Sequence, residues 1–293
     1  MIGHEQIQIK TPDQVRHMRR AGLVVADIHA ALREAVRPGV TTGELDAVCA
    51  EVISRAGAHS SFLGYYDYPA TVCTSVNDEV VHGIPGERVL AEGDLITFDC
   101  GAYVLDEEGT QWHGDAAFTT VVGGRYACDS DRLLDTTTRH ALWAAIAAVA
   151  RAAAGEATGR GTRLNAIGDA VEEVVDAAAQ EHGQRLGILE EYVGHGIGTA
   201  MHMAPDVLNY SVRRKGPRLR PGMVLAIEPM LTAGSPRVRE LDDGWTVVTE
   251  DGSRAAQWEH TVAIVPGGVW VLTAPDGGVE GLSPYGIEPR PLR

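Results

Sequence analysis

Four carboxylates set inside apolar, strand-forming runs constrain this chain more than any other feature. Asp99 lies within Leu95-Ile96-Thr97-Phe98-Asp99-Cys100-Gly101-Ala102-Tyr103-Val104, which is apolar on both faces. Asp115 follows in His113-Gly114-Asp115-Ala116-Ala117-Phe118. Glu228 sits in Val224-Leu225-Ala226-Ile227-Glu228-Pro229-Met230, and Glu259 in Gln257-Trp258-Glu259-His260-Thr261-Val262. A lone buried carboxylate costs several kcal/mol unless it is protonated or paired. Four that converged would repel one another and would need about four positive charges, which two divalent metal ions supply. Convergence of the four on such a pair is the central expectation.

The totals fit that picture. A chain of 293 residues buries a full core, as one large domain or two small ones. Its formal net charge of −15 argues against DNA or RNA binding as the main activity, because phosphate is repelled overall. The first ten residues lack the basic start and apolar core of a secretory signal, and no run is long enough to span a bilayer. Cys49, Cys73, Cys100 and Cys128 are widely spaced, which suits reduced, mostly buried thiols of a cytoplasmic protein.

Along the chain, Thr11-Pro12-Asp13-Gln14 supplies an N-cap, a proline at the first helical position and a capping-box glutamine. Val15, Met18, Val25, Ile28 and Leu32 then recur at helical spacing until Arg37-Pro38-Gly39. A second box, Thr41 to Glu44, opens a shorter helix, and strands are expected near 95–104 and 112–122. The pattern then starts over. Asp129-Ser130-Asp131 caps an Ala-rich helix to about Ala154, and Thr162 to Ala166 opens another carrying Ile167, Val171, Val174 and Val175. Strand-like segments follow at 189–194, 224–233, 245–249, 257–265 and 269–273. Each half thus reads helix, helix, strands, and each carries two strand-borne acids, a weak internal repeat of about 130 residues. The expected class is α+β with a pseudo-two-fold axis; two unrelated halves remain the alternative. The Gly- and Pro-containing stretch 274–293 is expected to be irregular and superficial.

Carboxylates alone do not select a transition metal, whereas an imidazole does. His195, in Gly194-His195-Gly196-Ile197-Gly198, is the best placed of the eleven histidines. The same glycines could form a phosphate loop, but Met201-His202-Met203-Ala204-Pro205 breaks the helix that a dinucleotide site requires.

These segments occur in one order with Ser75-Val76-Asn77-Asp78-Glu79-Val80-Val81-His82-Gly83-Ile84-Pro85, Trp112-His113-Gly114-Asp115 and Trp258-Glu259-His260-Thr261. Together, from about residue 7 to 273, they resemble the type I methionine aminopeptidases of the pita-bread fold, in the short form without an N-terminal extension. The resemblance implies a single catalytic domain over 1–273. Its halves, about 1–125 and 126–273, would each place two helices on a curved antiparallel sheet. It implies a dinuclear centre held by Asp99, Asp115, His195, Glu228 and Glu259, with Asp115 and Glu259 bridging. The ligand set suits two divalent ions of Mn, Fe or Co.

The activity implied is removal of the initiator methionine from nascent polypeptides with a small second residue, by attack of a metal-bridging hydroxide. His202 would donate to the carbonyl oxygen, Glu228 would shuttle the proton, and His82 would contact the substrate past its first residue. His113 and His260 flank ligands and would only support them. The slot for the methionine side chain falls on Tyr65, Tyr68, Cys73, Met201 and Trp245, although an aromatic is usual at position 201 and histidine at 66. A proline-directed peptidase of the same fold and a catalytically dead peptide-binding module are the alternatives.

Two departures carry further expectations. Residues 104–111 make the connection between Asp99 and Asp115 about five residues longer than is usual. An exposed hairpin tip should absorb the excess while both acids still meet at the metals. Arg213-Arg214-Lys215-Gly216-Pro217-Arg218-Leu219-Arg220 is a basic island that reads as a solvated loop, with a transient ribosome contact as the sharper alternative. The partners expected are nascent N-termini, with no DNA, no membrane and a monomeric state. The bulky Ile2 predicts that Met1 is retained.

Overall fold

The computed structural model describes residues 6–292, so the expectation on Met1 and Ile2 lies outside the described residues. Helix α1 (Pro12–Ala35) opens on the predicted box, with the Thr11 side chain and the Gln14 side chain each accepting from the other's backbone N–H. Helix α2 (Thr42–Arg55) repeats the device with Thr41 and Glu44. Five strands follow in the first half: β1 His59–Ser60, β2 Cys73–Val76, β3 Glu79–Val81, β4 Leu95–Leu105 and β5 Gln111–Val121. After α3 (Asp129–Ala154) and α4 (Ala166–His182) come β6 Gly187–Ile188, β7 Gly194–Gly196, β8 Met203–Val207, β9 Val224–Ile227 and β10 Met230–Thr232. The last strands are β11 Val238–Glu240, β12 Val247–Thr249, β13 Ala255–Gln257, β14 His260–Val265 and β15 Gly268–Val271.

Every strand pairing in the two main sheets is antiparallel. One runs β1-β4-β2 with β5 also on β4, and the other runs β15-β14-β9-β7-β8. Helices α1 and α2 bury Met18, Ile28, Leu32 and Leu45 against Phe98 and Phe118 of the first sheet. Helices α3 and α4 bury Leu142, Ile146, Ile167 and Val171 against Leu225 and Ile264 of the second. The repeated order of elements therefore becomes two similar layered halves.

The second pair of helices starts differently from expectation. Helix α3 begins at Asp129 with Cys128 as an uncapped N-cap residue, while Asp131 pairs with Arg254 at 2.9 Å instead of capping. Helix α4 begins only at Ala166, because the Asn165 side chain is engaged by the backbone at Arg214 and Gly216. Two long strand-like runs are broken where the acids sit. The run 224–233 divides at Glu228-Pro229, and 257–265 divides at Trp258-Glu259; in each case the chain passes from one sheet to another. The run 189–194 is not a strand, apart from its last residue.

The hairpin between β4 and β5 keeps an unbroken register from Leu95 opposite Val121 to Leu105 opposite Gln111. Its tip is closed by Asp106, which accepts from the Glu108 and Thr110 N–H groups and from the Trp112 indole. The tail departs from the irregular stretch expected. It forms a short helix α5 (Val279–Leu282) and a turn, and Leu282 is fully buried in the second core.

Candidate metal centre

Asp99 lies opposite Ala117 and Asp115 lies opposite Gly101 on the paired strands β4 and β5. Positions 99 and 101 share a face, so the two carboxylates are diagonal neighbours on one side of the sheet. Gly101 keeps the neighbouring space open, since a Cβ there would come within 2.7 Å of the Phe62 ring. His195 lies on β7 beside Ala226 of β9. Glu228 projects from the break after β9, where Asn209 donates to its backbone carbonyl at 3.1 Å.

Glu259 projects from the break before β14, and its N–H donates to Ala117 O of β5 at 2.9 Å. Two more contacts stitch the halves here. The Thr261 hydroxyl donates to Asp115 O at 2.7 Å and accepts the Asp115 N–H at 3.0 Å; the Thr119 hydroxyl likewise bonds Gln257 O and N.

Ligand atoms of Asp115, His195 and Glu259 lie within 4.8 Å of one another. His195 Nε2 stands 3.6 Å from Glu228 Oε1, and Gln257 Nε2 donates to Glu228 Oε2 at 3.1 Å. His195 Nδ1 faces Gly196 O at 3.0 Å and must donate there, which leaves Nε2 with its lone pair aimed at the acids. Burial lowers the pKa of His195 to about 3, so the ring is neutral.

Burial acts the other way on the carboxyls. It pushes Asp99 up to about 7. It drives Asp115 well above the usual range, reinforced by the charges of Asp99 and Glu228. Glu228 is raised by burial and Asp99, and Glu259 by burial and then Asp115. Asp99 Oδ1, Asp115 Oδ1 and Glu259 Oε1 are all buried without a hydrogen-bond partner. Orphaned oxygens of this kind call for a proton or a cation. One imidazole lone pair and several carboxylate oxygens facing one space are a donor set that fits divalent metal.

All five of these side chains line one cavity of about 330 Å³. The other expected site residues, His82, His202, Tyr65, Tyr68, Cys73, Met201 and Trp245, line it too. Tyr68, Cys73 and Met201 are buried, and Tyr68 packs edge-on against Trp245 at 5.0 Å between ring centres. The Tyr65 hydroxyl lies 2.9 Å from His202 Nδ1, and the His202 and His195 rings are 4.4 Å apart. His82 has φ of 60° and stacks edge-on to Tyr192 at 5.4 Å; burial lowers its pKa to about 4.

His113 and His260 do not line the cavity. They are anchored behind it by Ser61 and Thr273, each at 2.8 Å. Reasoning from sequence missed Gln257 and Asn209, which hold Glu228, and Tyr192, which faces His82. Gln257 alternates with Glu259 and could have been found that way; Asn209 carries no local signal.

The sequence pattern of Metallopeptidase family M24 matches residues 16–266. The chain belongs to metallopeptidase family M24. It is 46% identical over 272 residues to "Methionine aminopeptidase 1" of Mycobacterium tuberculosis, covering 92% of this chain and 96% of that one. The crystal structure of a methionine aminopeptidase from Thermotoga maritima superposes with a TM-score of 0.80 at 36% identity, over 92% of this chain and 99% of that one. Prolidase from Pyrococcus furiosus shares the fold at 21% identity and a TM-score of 0.64, but this chain spans only 65% of it. The architecture is thus the α+β pita-bread fold of this metallopeptidase family, and divalent metal is its cofactor. No helix among the described residues is long and apolar enough to cross a membrane.

Proposed function

We propose that this chain removes N-terminal methionine from polypeptides whose second residue is small, using two divalent ions of the Mn, Fe or Co type. The observation that carries this reading is the joining, in one cavity of about 330 Å³, of five metal-type donors with an apolar aromatic wall. Asp99, Asp115, His195, Glu228 and Glu259 would hold the ions. When bound, such ions polarise the scissile carbonyl and bring the pKa of water towards neutrality.

The remaining chemistry belongs to the protein. The Tyr65 hydroxyl lies 2.9 Å from His202 Nδ1; with the hydroxyl as donor, His202 would carry its hydrogen on Nε2 and present it to the oxygen that becomes negative. Glu228 takes the proton of the attacking water and returns it to the leaving nitrogen. Gln257 Nε2 donates to Glu228 Oε2 at 3.1 Å and holds the carboxylate in place for that exchange. Tyr68, Cys73, Met201, Trp245 and the apolar part of Tyr65 form a slot for an unbranched thioether side chain. His82, neutral from burial, stands ready to contact the substrate past its first residue.

We read 1–273 as one catalytic domain, because Ala117–Glu259 and Asp115–Thr261 hydrogen bonds cross between its halves. Residues 274–292 are its packed extension. We place the protein in the cytoplasm as a monomer acting on nascent N-termini, with neither DNA nor membrane as a partner.

The test is release of methionine from Met-Ala-Ser by metal-loaded protein, against a chelator-treated control and against Met-Leu-Ser. Turnover of Met-Ala-Ser alone supports the reading. Cleavage only of dipeptides ending in proline would move the chain to the proline-directed class, and inertness of the loaded protein would make it a binding module.

A further inference from the structure

A second and larger concavity adjoins the catalytic one. It encloses about 920 Å³, and Val193, His195 and His202 line both. Its own lining adds Pro205, Leu208, Tyr210 and Val212 as an apolar surface. The charge on this surface differs in sign from the rest of the molecule. In a chain of net charge −15, the lining carries one carboxylate, Asp206, against the two cations Arg214 and Lys215.

Both cations are exposed, and neither side chain makes an ion pair or hydrogen bond among the described residues. The backbone beneath them is tied down from the other side. Asn165 Nδ2 donates to Arg214 O at 2.9 Å, and Asn165 Oδ1 accepts the Gly216 N–H. The Arg163 guanidinium donates to Gly216 O at 2.8 Å, and the Leu164 N–H donates to Pro217 O at 3.0 Å. A merely solvated loop needs no such bracing. Its effect is to hold the backbone that carries these two cations along the wall of a groove that begins at His195 and His202.

A polypeptide whose first residue fills the cavity must lead its chain out. Extended backbone advances about 3.4 Å per residue, so its fourth to sixth residues lie roughly 10–17 Å from the first. Resting on the aminopeptidase reading above, we propose that this groove receives the substrate polypeptide beyond its second residue and that Arg214 and Lys215 favour acidic side chains there. Exposed ion pairs are weak, so the preference is roughly three- to ten-fold in low salt. It shrinks as ionic strength rises.

The experiment uses the metal-loaded full chain with Met-Ala-Ser-Glu-Glu-Glu and Met-Ala-Ser-Lys-Lys-Lys. Each kcat/KM is divided by that for Met-Ala-Ser on the same preparation, so that a damaged cavity cancels. The acidic tail is expected to be favoured, and the R214E/K215E double variant to reverse the order. Equal rates for the two tails, or a preference that survives the double variant, overturn the groove assignment while leaving the aminopeptidase reading intact. Equal rates together with loss of ribosomal RNA binding in the variant would reassign the loop to RNA. Failure of Met-Ala-Ser itself sinks both.

Discussion

Replacing Glu259 by Gln should affect the metal-free and metal-loaded protein in opposite directions. Glu259 is 1% exposed, and its ligand oxygen lies within 4.8 Å of one on Asp115. Once both carboxyls are ionised, two unit charges at that separation repel by about 3.5 kcal/mol at an effective dielectric constant of 20. The amide removes this repulsion and leaves one buried group poorly paired, at a cost of about 1 kcal/mol. The net gain for the metal-free variant with both groups ionised is then about 2.5 kcal/mol. Unfolding entropy scales with chain length, so for 293 residues this raises the melting temperature by about 4 °C.

The sign of the pH dependence follows from the raised carboxyls. A folded-state pKa above the ordinary value of 4.5 means that the folded protein holds its proton more tightly than the unfolded one. Metal-free wild type therefore loses stability as pH rises from 4.5 through the folded pKa, and the advantage of the variant grows over the same window. With metal present the order reverses, because Gln removes a donor and divalent ions no longer stabilise the variant fully. The assay is thermal unfolding of chelator-treated and metal-loaded protein at pH 5 and pH 8. A variant less stable than wild type in the metal-free state at pH 8 would refute the crowding of charges on which the site is built.

Three further outcomes are expected. Leu282→Ala, at a fully buried tail position, should lower stability by about 2–5 kcal/mol in denaturant titration; no change would mean that the tail does not dock in solution. Asp135, 6% exposed, accepts the Trp258 indole N–H at 2.7 Å and also the Tyr126 hydroxyl. Asp135→Ala should therefore cost about 2–4 kcal/mol in the same titration, whereas Asp135→Asn should recover part of that; equal losses would point to simple packing. A Cβ at Gly196 would come within 2.1 Å of Ala204 O, so Gly196→Ala should displace β7 from β8 and weaken metal binding measured by calorimetry; unaltered affinity would contradict that placement of His195.

The long first hairpin shows how local signals carried through. Residues 104–111 read as an exposed hairpin connection, and the observed register, with Asp99 opposite Ala117 and Asp115 opposite Gly101, is what puts both acids on one face. The capping boxes at Thr11 and Thr41 were equally legible because each is complete within four residues. Caps for the second pair of helices were not, since Asp131 and Asn165 spend their side chains on distant partners.

The sequence by itself determined which side chains are the candidate donors. Four acids in apolar runs, one histidine between glycines and the order of the motifs are properties of the chain read in line. Tertiary structure decided how two of the acids reach the centre. Glu228 and Glu259 do not stand on strands but on breaks where the chain changes sheets, and the Glu259 N–H bonds to Ala117 in the other half. It also decided the docking of the tail and the support of Glu228 by Gln257 and Asn209. Periodicity reports which face of a segment is buried. Hydrogen bonds between residues far apart in sequence leave no period to read, and only packing of the two halves against each other creates them.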